Sequence, residues 1–267
     1  MLIDTHAHLD FQQFHRRHDE VIKRAQEAGV ETIINVGSNL QGSKDSVDLA
    51  QKYPSIYASV GIHPDDVISV NSATMAELLK LAQEKKVVAI GEIGLDYSQK
   101  PLNKELQKKY LVIQIGLAKR LHLPIIIHNR DADEDILEIL KVQASDVPGV
   151  IHCFTGNWEL AKKFLKLGFL ISFTGIITFK SKDDLKKEKR GCTEDKGIKE
   201  VIEKIPLEMV MVETDCPFLT PEPYRGKINE PAYVVEIAKK IAEIKKIPFG
   251  KVADITTQNA KNLFNLS

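Results

Sequence analysis

An alternation constrains this chain more than any other feature. Short apolar runs rich in Val and Ile recur from one end to the other, and each is followed by a stretch with helical spacing. The runs predict strands at Leu2–His6, Thr32–Val36, Ile56–Val60, Val87–Ile90, Ile125–His128, Gly149–His152, Phe169–Phe173 and Met209–Val212. Helices are predicted at Asp19–Ala28, Gly42–Lys52, Thr74–Glu84, Leu102–Leu121, Asp131–Val142, from an Asn157 cap to Leu167, and at Glu194–Ile205, Pro231–Ile244 and Gly250–Phe264. The clearest is Leu102–Leu121, where Leu102, Leu106, Ile113, Leu117 and Leu121 define one apolar face. Strands apolar on both faces and separated by helices make a parallel sheet covered by helices. Eight such units suit closure into an α/β fold of the (β/α)8 TIM-barrel type. An open doubly wound sheet is the alternative, but no GxGxxG follows the first strand. The 267 residues fit one barrel, since such domains run to about 250 residues. No linker or compositional break marks a second domain, so residues 1–267 are expected to form one. Thr174–Gly191 is the long insertion.

In such a barrel the chemistry sits at the C-terminal ends of the strands. The predicted ends supply His6 and His8, then His63, Glu92, His128, His152 and Asp215. Five of the eight histidines fall there. His6 and His8 are two apart in an extended segment and so share a face. Imidazole and carboxylate together suit divalent transition-metal ions. Six ligands, His6, His8, Glu92, His128, His152 and Asp215, exceed the needs of one ion and suffice for two if a carboxylate bridges. Glu92 is the natural bridge, with His6, His8 and Asp215 on one side and His128 and His152 on the other. Paired ions clamp the attacking and leaving oxygens of a displacement at phosphorus, and Asp215 is placed to take a proton from water as general base.

Other residues admit two readings each. His63, before Pro64, either shapes a turn or contacts phosphate and assists proton transfer. Arg130, two after His128, either pairs with a surface acid or grips phosphate with its planar fork. Asp96 and Tyr97 either hydrogen-bond Glu92 from behind and brace its loop or, for Tyr97, touch a base. Glu213 either orients a ligand histidine or pairs with a cation. Arg225 and Lys227 are candidate phosphate contacts, and the run Lys180–Arg190 either steers a polyanion or is a solvated face. Cys153 and Cys216, each following a ligand, are expected to pack away from it. His15, His18 and His122 are expected to be no ligands.

Lys plus Arg equals Asp plus Glu at 37 each, so net charge attracts no polyanion and any such binding must be local. Three cysteines without CxxC fit a reducing cytoplasm. No basic start with an apolar core suggests a signal peptide, and no apolar run approaches the roughly 18 residues of a membrane span.

Asp4-Thr5-His6-Ala7-His8, Gly61-Ile62-His63-Pro64, Gly91-Glu92-Ile93-Gly94-Leu95-Asp96-Tyr97, His128-Asn129-Arg130, His152-Cys153-Phe154-Thr155-Gly156, Glu213-Thr214-Asp215-Cys216-Pro217-Phe218-Leu219 and Asn229-Glu230-Pro231 occur in this order. Together they resemble the TatD family of metal-dependent deoxyribonucleases, within the amidohydrolase-like superfamily, from Asp4 to about Phe264. The resemblance implies a TIM barrel that binds two divalent cations (Mg, Mn, Zn, Fe, Co or Ni). It implies hydrolysis of DNA, as a 3′-to-5′ exonuclease preferring single strands, with no obligate protein partner. Its metal positions fall on the same six residues. An ester or amide hydrolase on the same barrel is the alternative, weakened because Glu92 and no lysine ends the fourth strand. A metal-retaining protein that binds nucleic acid without cleaving it is the third reading.

Overall fold

A computed structural model describes residues 1–98, 102–179 and 196–266. Its eight strands form one parallel sheet in sequence order: β1 (Leu2–Ala7), β2 (Val30–Val36), β3 (Ile56–Val60), β4 (Val87–Asp96), β5 (Ile125–Arg130), β6 (Gly149–Ile151), β7 (Leu170–Phe173) and β8 (Val210–Val212). Helices alternate with them: α1 (His18–Glu27), α2 (Leu40–Lys52), α3 (Ser72–Leu81), α4 (Lys104–Leu121), α5 (Asp133–Gln143), α6 (Trp158–Lys166), α7 (Lys196–Lys204), α8 (Val234–Lys245) and α9 (Phe249–Phe264). The fold is the TIM barrel that the alternation predicts. The basic run Lys180–Arg190 lies outside the described residues, as do the first two residues of the predicted helix Glu194–Ile205.

The last closure is made differently from the others. Among the described residues, β1 is joined to the segment after β8 by one bridge, Ala7 to Cys216. Side chains and loop backbone complete the seam. Asp4, fully buried, accepts from the Thr214 hydroxyl at 2.6 Å and the Thr214 N–H at 2.8 Å. The Thr5 hydroxyl donates to the Val212 carbonyl at 3.0 Å. The Asp215 N–H donates to the His6 carbonyl at 2.9 Å. These bonds tie the turn carrying Asp215 to the strand carrying His6 and His8.

Two details depart from the expected pattern. First, β4 continues past Ile90 to Asp96 through an irregular register between Ile90 and Ile93. The sequence ends the strand at Ile90, before Gly91, yet the strand goes on past Gly94, which comes too close to β5 for a side chain. Gly94 sits at φ 156°, and a Cβ there would strike the His128 carbonyl of β5. Second, the inward face of α4 only partly follows the leucine stripe. Leu117 is buried and Leu106 and Leu121 pack against the core, but Leu102, before the helix, and Ile113 are exposed, and Gln107, Tyr110, Leu111, Gln114, Ile115 and Ala118 are buried beside them. The two glutamines are buried because each pairs with backbone on the barrel. Gln107 accepts from the Asp96 N–H (3.0 Å) and donates to its carbonyl (2.9 Å). Gln114 does the same at Ile62, at 2.8 and 3.1 Å. Hydrophobic periodicity cannot register a polar side chain that is satisfied inside.

Candidate metal centre

The strand ends bring His6, His8, His63, Glu92, His128, His152 and Asp215 to one cluster. Glu92 is its centre, nearly fully buried. Its two oxygens face different neighbours. Oε1 lies 2.7 Å from His152 Nε2, 2.8 Å from His128 Nδ1 and 3.7 Å from His63 Nε2. Oε2 lies 3.5 Å from His6 Nε2 and 3.8 Å from His8 Nε2. Asp215 Oδ1 approaches His8 Nε2 at 3.5 Å and His6 Nε2 at 3.9 Å. Asp215 stands at φ 55°, a left-handed conformation that Asp tolerates better than most residues.

The outer nitrogens of these histidines fix their orientation. His8 Nδ1 lies 2.8 Å from the Val36 carbonyl, so it carries the proton and turns the Nε2 lone pair inward. His128 Nε2 faces Asp96 at 3.4 Å, and Asp96 is itself held by the Ser98 N–H and hydroxyl. His152 Nδ1 lies 3.3 Å from Glu213, in ion-pair contact without hydrogen-bond alignment. Glu213 also accepts from the Cys153 N–H at 2.7 Å. His63 Nδ1 accepts from the Asp65 N–H at 3.2 Å, which leaves its Nε2 as the N–H side facing Glu92.

The fit to a cation follows from this donor set. His6 Nε2 and His8 Nε2 face each other at 3.2 Å, and so do His128 Nδ1 and His152 Nε2. Neutral imidazoles that close need something positive between them or a proton on one of them. Three groups of ligand atoms lie within 4.8 Å of one another: His6–His152–Asp215, His6–His8–Glu92 and His63–Glu92–His128. The third includes His63, which the sequence reads as a turn residue, a phosphate contact or a proton donor and acceptor, and not as a ligand.

The electrostatics of the cluster are consistent with this. Burial alone would raise the Glu92 carboxyl, but His152, His63 and His128 outweigh it and hold it well below its ordinary range. Burial opposes charge on His8, yet Asp215 and Glu92 push it up to about 9. Against the same burial, Glu92 and Glu213 raise His152, and Asp96 and Glu92 raise His128. Burial, reinforced by His152, lowers His6, and burial lowers His63 to about 4.

The remaining sequence candidates lie on loops around the same end. Arg130 is exposed, at the tip of β5. Arg225 and Lys227 are exposed in the β8–α8 loop; the Arg225 guanidinium lies 3.9 Å above the Phe179 ring and donates to the Thr220 carbonyl. The Tyr97 hydroxyl donates to Asp135 at 2.5 Å, and Lys104 covers its ring at 4.2 Å. Its polar end is thereby committed to bracing α5, and only ring contact is left to offer a substrate. Cys216 is buried away from the cluster, and the Cys153 thiol turns to the Thr174 hydroxyl at 3.6 Å. Two aromatic residues beside the cluster have no signal of their own in the sequence, Phe11 and Phe218; an apolar residue gives no sign there of whether it faces core or solvent.

A parallel barrel whose mouth gathers five imidazoles and two carboxylates is what a metal-dependent hydrolase needs. Comparison with known proteins makes this specific. The family model "TatD related DNase" matches residues 3–265, and the chain belongs to that family. It is 45% identical, over the full length of both chains, to the "Uncharacterized metal-dependent hydrolase YabD" of Bacillus subtilis strain 168. It is 33% identical, again over both full lengths, to the "3'-5' ssDNA/RNA exonuclease TatD" of Escherichia fergusonii. Among solved structures, the TatD homologue YJJV of Escherichia coli K12 superposes with a TM-score of 0.88 at 30% identity, over 100% of this chain and 98% of that one. No helix among the described residues is long and apolar enough to cross a membrane.

Proposed function

We propose that this metal-dependent hydrolase cleaves phosphodiester bonds of single-stranded DNA, working from the 3′ end, in the cytoplasm. The division of Glu92 between its two sets of imidazoles carries the reading. One carboxylate shared in this way suits two divalent cations, with His6, His8 and Asp215 holding one, and His128 and His152 the other. Bound there, the cations would neutralise phosphate charge and make water acidic enough to attack at neutral pH.

The chain's own groups do the rest. Asp215 stays ionised, because His8 outweighs the burial that would raise it, and accepts the proton of the attacking water. His63 is neutral and presents Nε2–H toward the cluster, so it donates to a phosphate or leaving oxygen. Asp96 and Glu213 keep His128 and His152 turned inward. Arg130, Arg225 and Lys227 hold the phosphates further along the strand. The relative named as an ssDNA/RNA exonuclease supports the substrate class, and the unpaired thiols of Cys153 and Cys216 support a reducing compartment.

The test is to strip purified protein with a chelator, refill it with Mg²⁺, Mn²⁺ or Zn²⁺, and incubate it with end-labelled single-stranded DNA. The expected result is stepwise shortening from the 3′ end that vanishes on chelation. Absence of cleavage with every ion would refute the reading, and turnover of ester or amide substrates in parallel would put another bond in its place.

A further inference from the structure

We infer that Phe11 and Phe218 form a stacking corner that receives an unpaired nucleobase of the strand cleaved at the Glu92 cluster. This rests on the nucleolytic reading above. The Phe11 ring lies on the His8 ring, with centroids 4.9 Å apart and planes 29° apart. The Phe218 ring meets Phe11 nearly at right angles, at 5.8 Å and 84°. The rings thus run outward from a candidate metal ligand to solvent, where Phe218 is 49% exposed.

Neither residue hangs on slack chain. The Phe11 N–H donates to the His8 carbonyl at 3.2 Å, and the Phe11 carbonyl accepts from the Phe14 N–H at 2.9 Å. The Phe218 N–H donates to the Asp215 carbonyl at 3.0 Å. Its carbonyl accepts from the Asn229 amide at 2.5 Å, which also donates to the Thr214 carbonyl at 2.9 Å. A ring held in water by anchored backbone forgoes burial with no return to the fold. A flat apolar ligand restores it, lying on one ring and meeting the edge of the other. The same loop carries Arg225 and Lys227, exposed and without a carboxylate partner among the described residues. Aromatic faces beside cations are what a single strand needs, since every base has a π-face and every linkage a negative charge.

The experiment uses full-length, metal-loaded protein and two decamers of equal charge: oligothymidylate, and a strand of the same length made of abasic tetrahydrofuran units. In wild type, the base-bearing strand is expected to bind more tightly by fluorescence anisotropy. Phe218→Ala is expected to raise KM for it about tenfold, with kcat within about twofold, and to leave the abasic strand unchanged. Phe218→Trp restores wild-type behaviour. An equal loss on both strands, or no loss on either, overturns the proposal, as does a wild-type dimer in light scattering that Phe218→Ala dissolves. If wild type cleaves neither decamer, the nucleolytic reading fails and binding alone decides. A preference for bases that Phe218→Ala abolishes then supports the corner, and its absence overturns it.

Discussion

Glu92 turns one carboxylate oxygen to His128 and His152 and the other to His6 and His8, and that division sets the proton balance of the whole cluster. His8, His128 and His152 are all raised above the ordinary imidazole value by the carboxylates facing them, His8 to about 9. The facing carboxylates thus favour a proton on these rings, and His8 carries one at pH 7, while burial disfavours it on His6 and His63. A cation takes only the deprotonated ring. Metal binding at pH 7 should thus release protons, that of His8 among them. Affinity should climb as pH rises toward 9 and collapse on acidification. Calorimetric titration with Mn²⁺ or Zn²⁺ in buffers of different ionisation enthalpy counts these protons. Binding that releases none would place the ions elsewhere.

At the scale of elements, the candidate ligands were legible, and so was Glu213 behind His152, but the supports on α4 were not. A histidine or carboxylate at the end of an apolar run stands out, because a buried strand has little other use for it. The buried glutamines of α4 do not stand out, since nothing in their spacing distinguishes them from a solvated face. Yet Gln114 holds both backbone groups of Ile62, the residue before His63. Gln107 holds those of Asp96, which faces His128. The length of β4 was equally hidden, because Gly91 reads as a break, while Gly94 beyond it serves as a close approach to β5. Gln114→Ala leaves a buried N–H and carbonyl without partners, so it should destabilise the fold by about 2–4 kcal/mol. It should also weaken turnover by loosening His63. Urea unfolding and steady-state kinetics read the two effects; full stability in the variant would mean that α4 is only apolar packing.

Over the whole molecule, charge is balanced, and no global field draws in a polyanion. Under the proposed function, attraction comes from local cations, Arg130, Arg225 and Lys227 at the barrel mouth, together with cations held by the cluster. Three single-strand phosphate contacts give a slope of log affinity against log salt of about −2. Each of Arg130→Ala, Arg225→Ala and Lys227→Ala should flatten it by about 0.7. Anisotropy of a labelled single strand between low and moderate salt measures this; a slope that ignores all three substitutions would assign the phosphates to other groups. The barrel itself was readable from eight alternations, because strand and helix periods differ. The seam between β1 and β8 was not, since it depends on Asp4 meeting Thr214 across 210 residues of chain.

The central claim is that hydrolysis of DNA turns on the carboxylate joining the two halves of the cluster. It is tested most directly by comparing 3′ nucleotide release from single-stranded DNA by metal-loaded wild type and Glu92→Gln, with circular dichroism confirming that both are folded. The expected result is ready release by wild type and a fall of roughly a thousandfold in the variant. Release by a folded Glu92→Gln at the wild-type rate would contradict it.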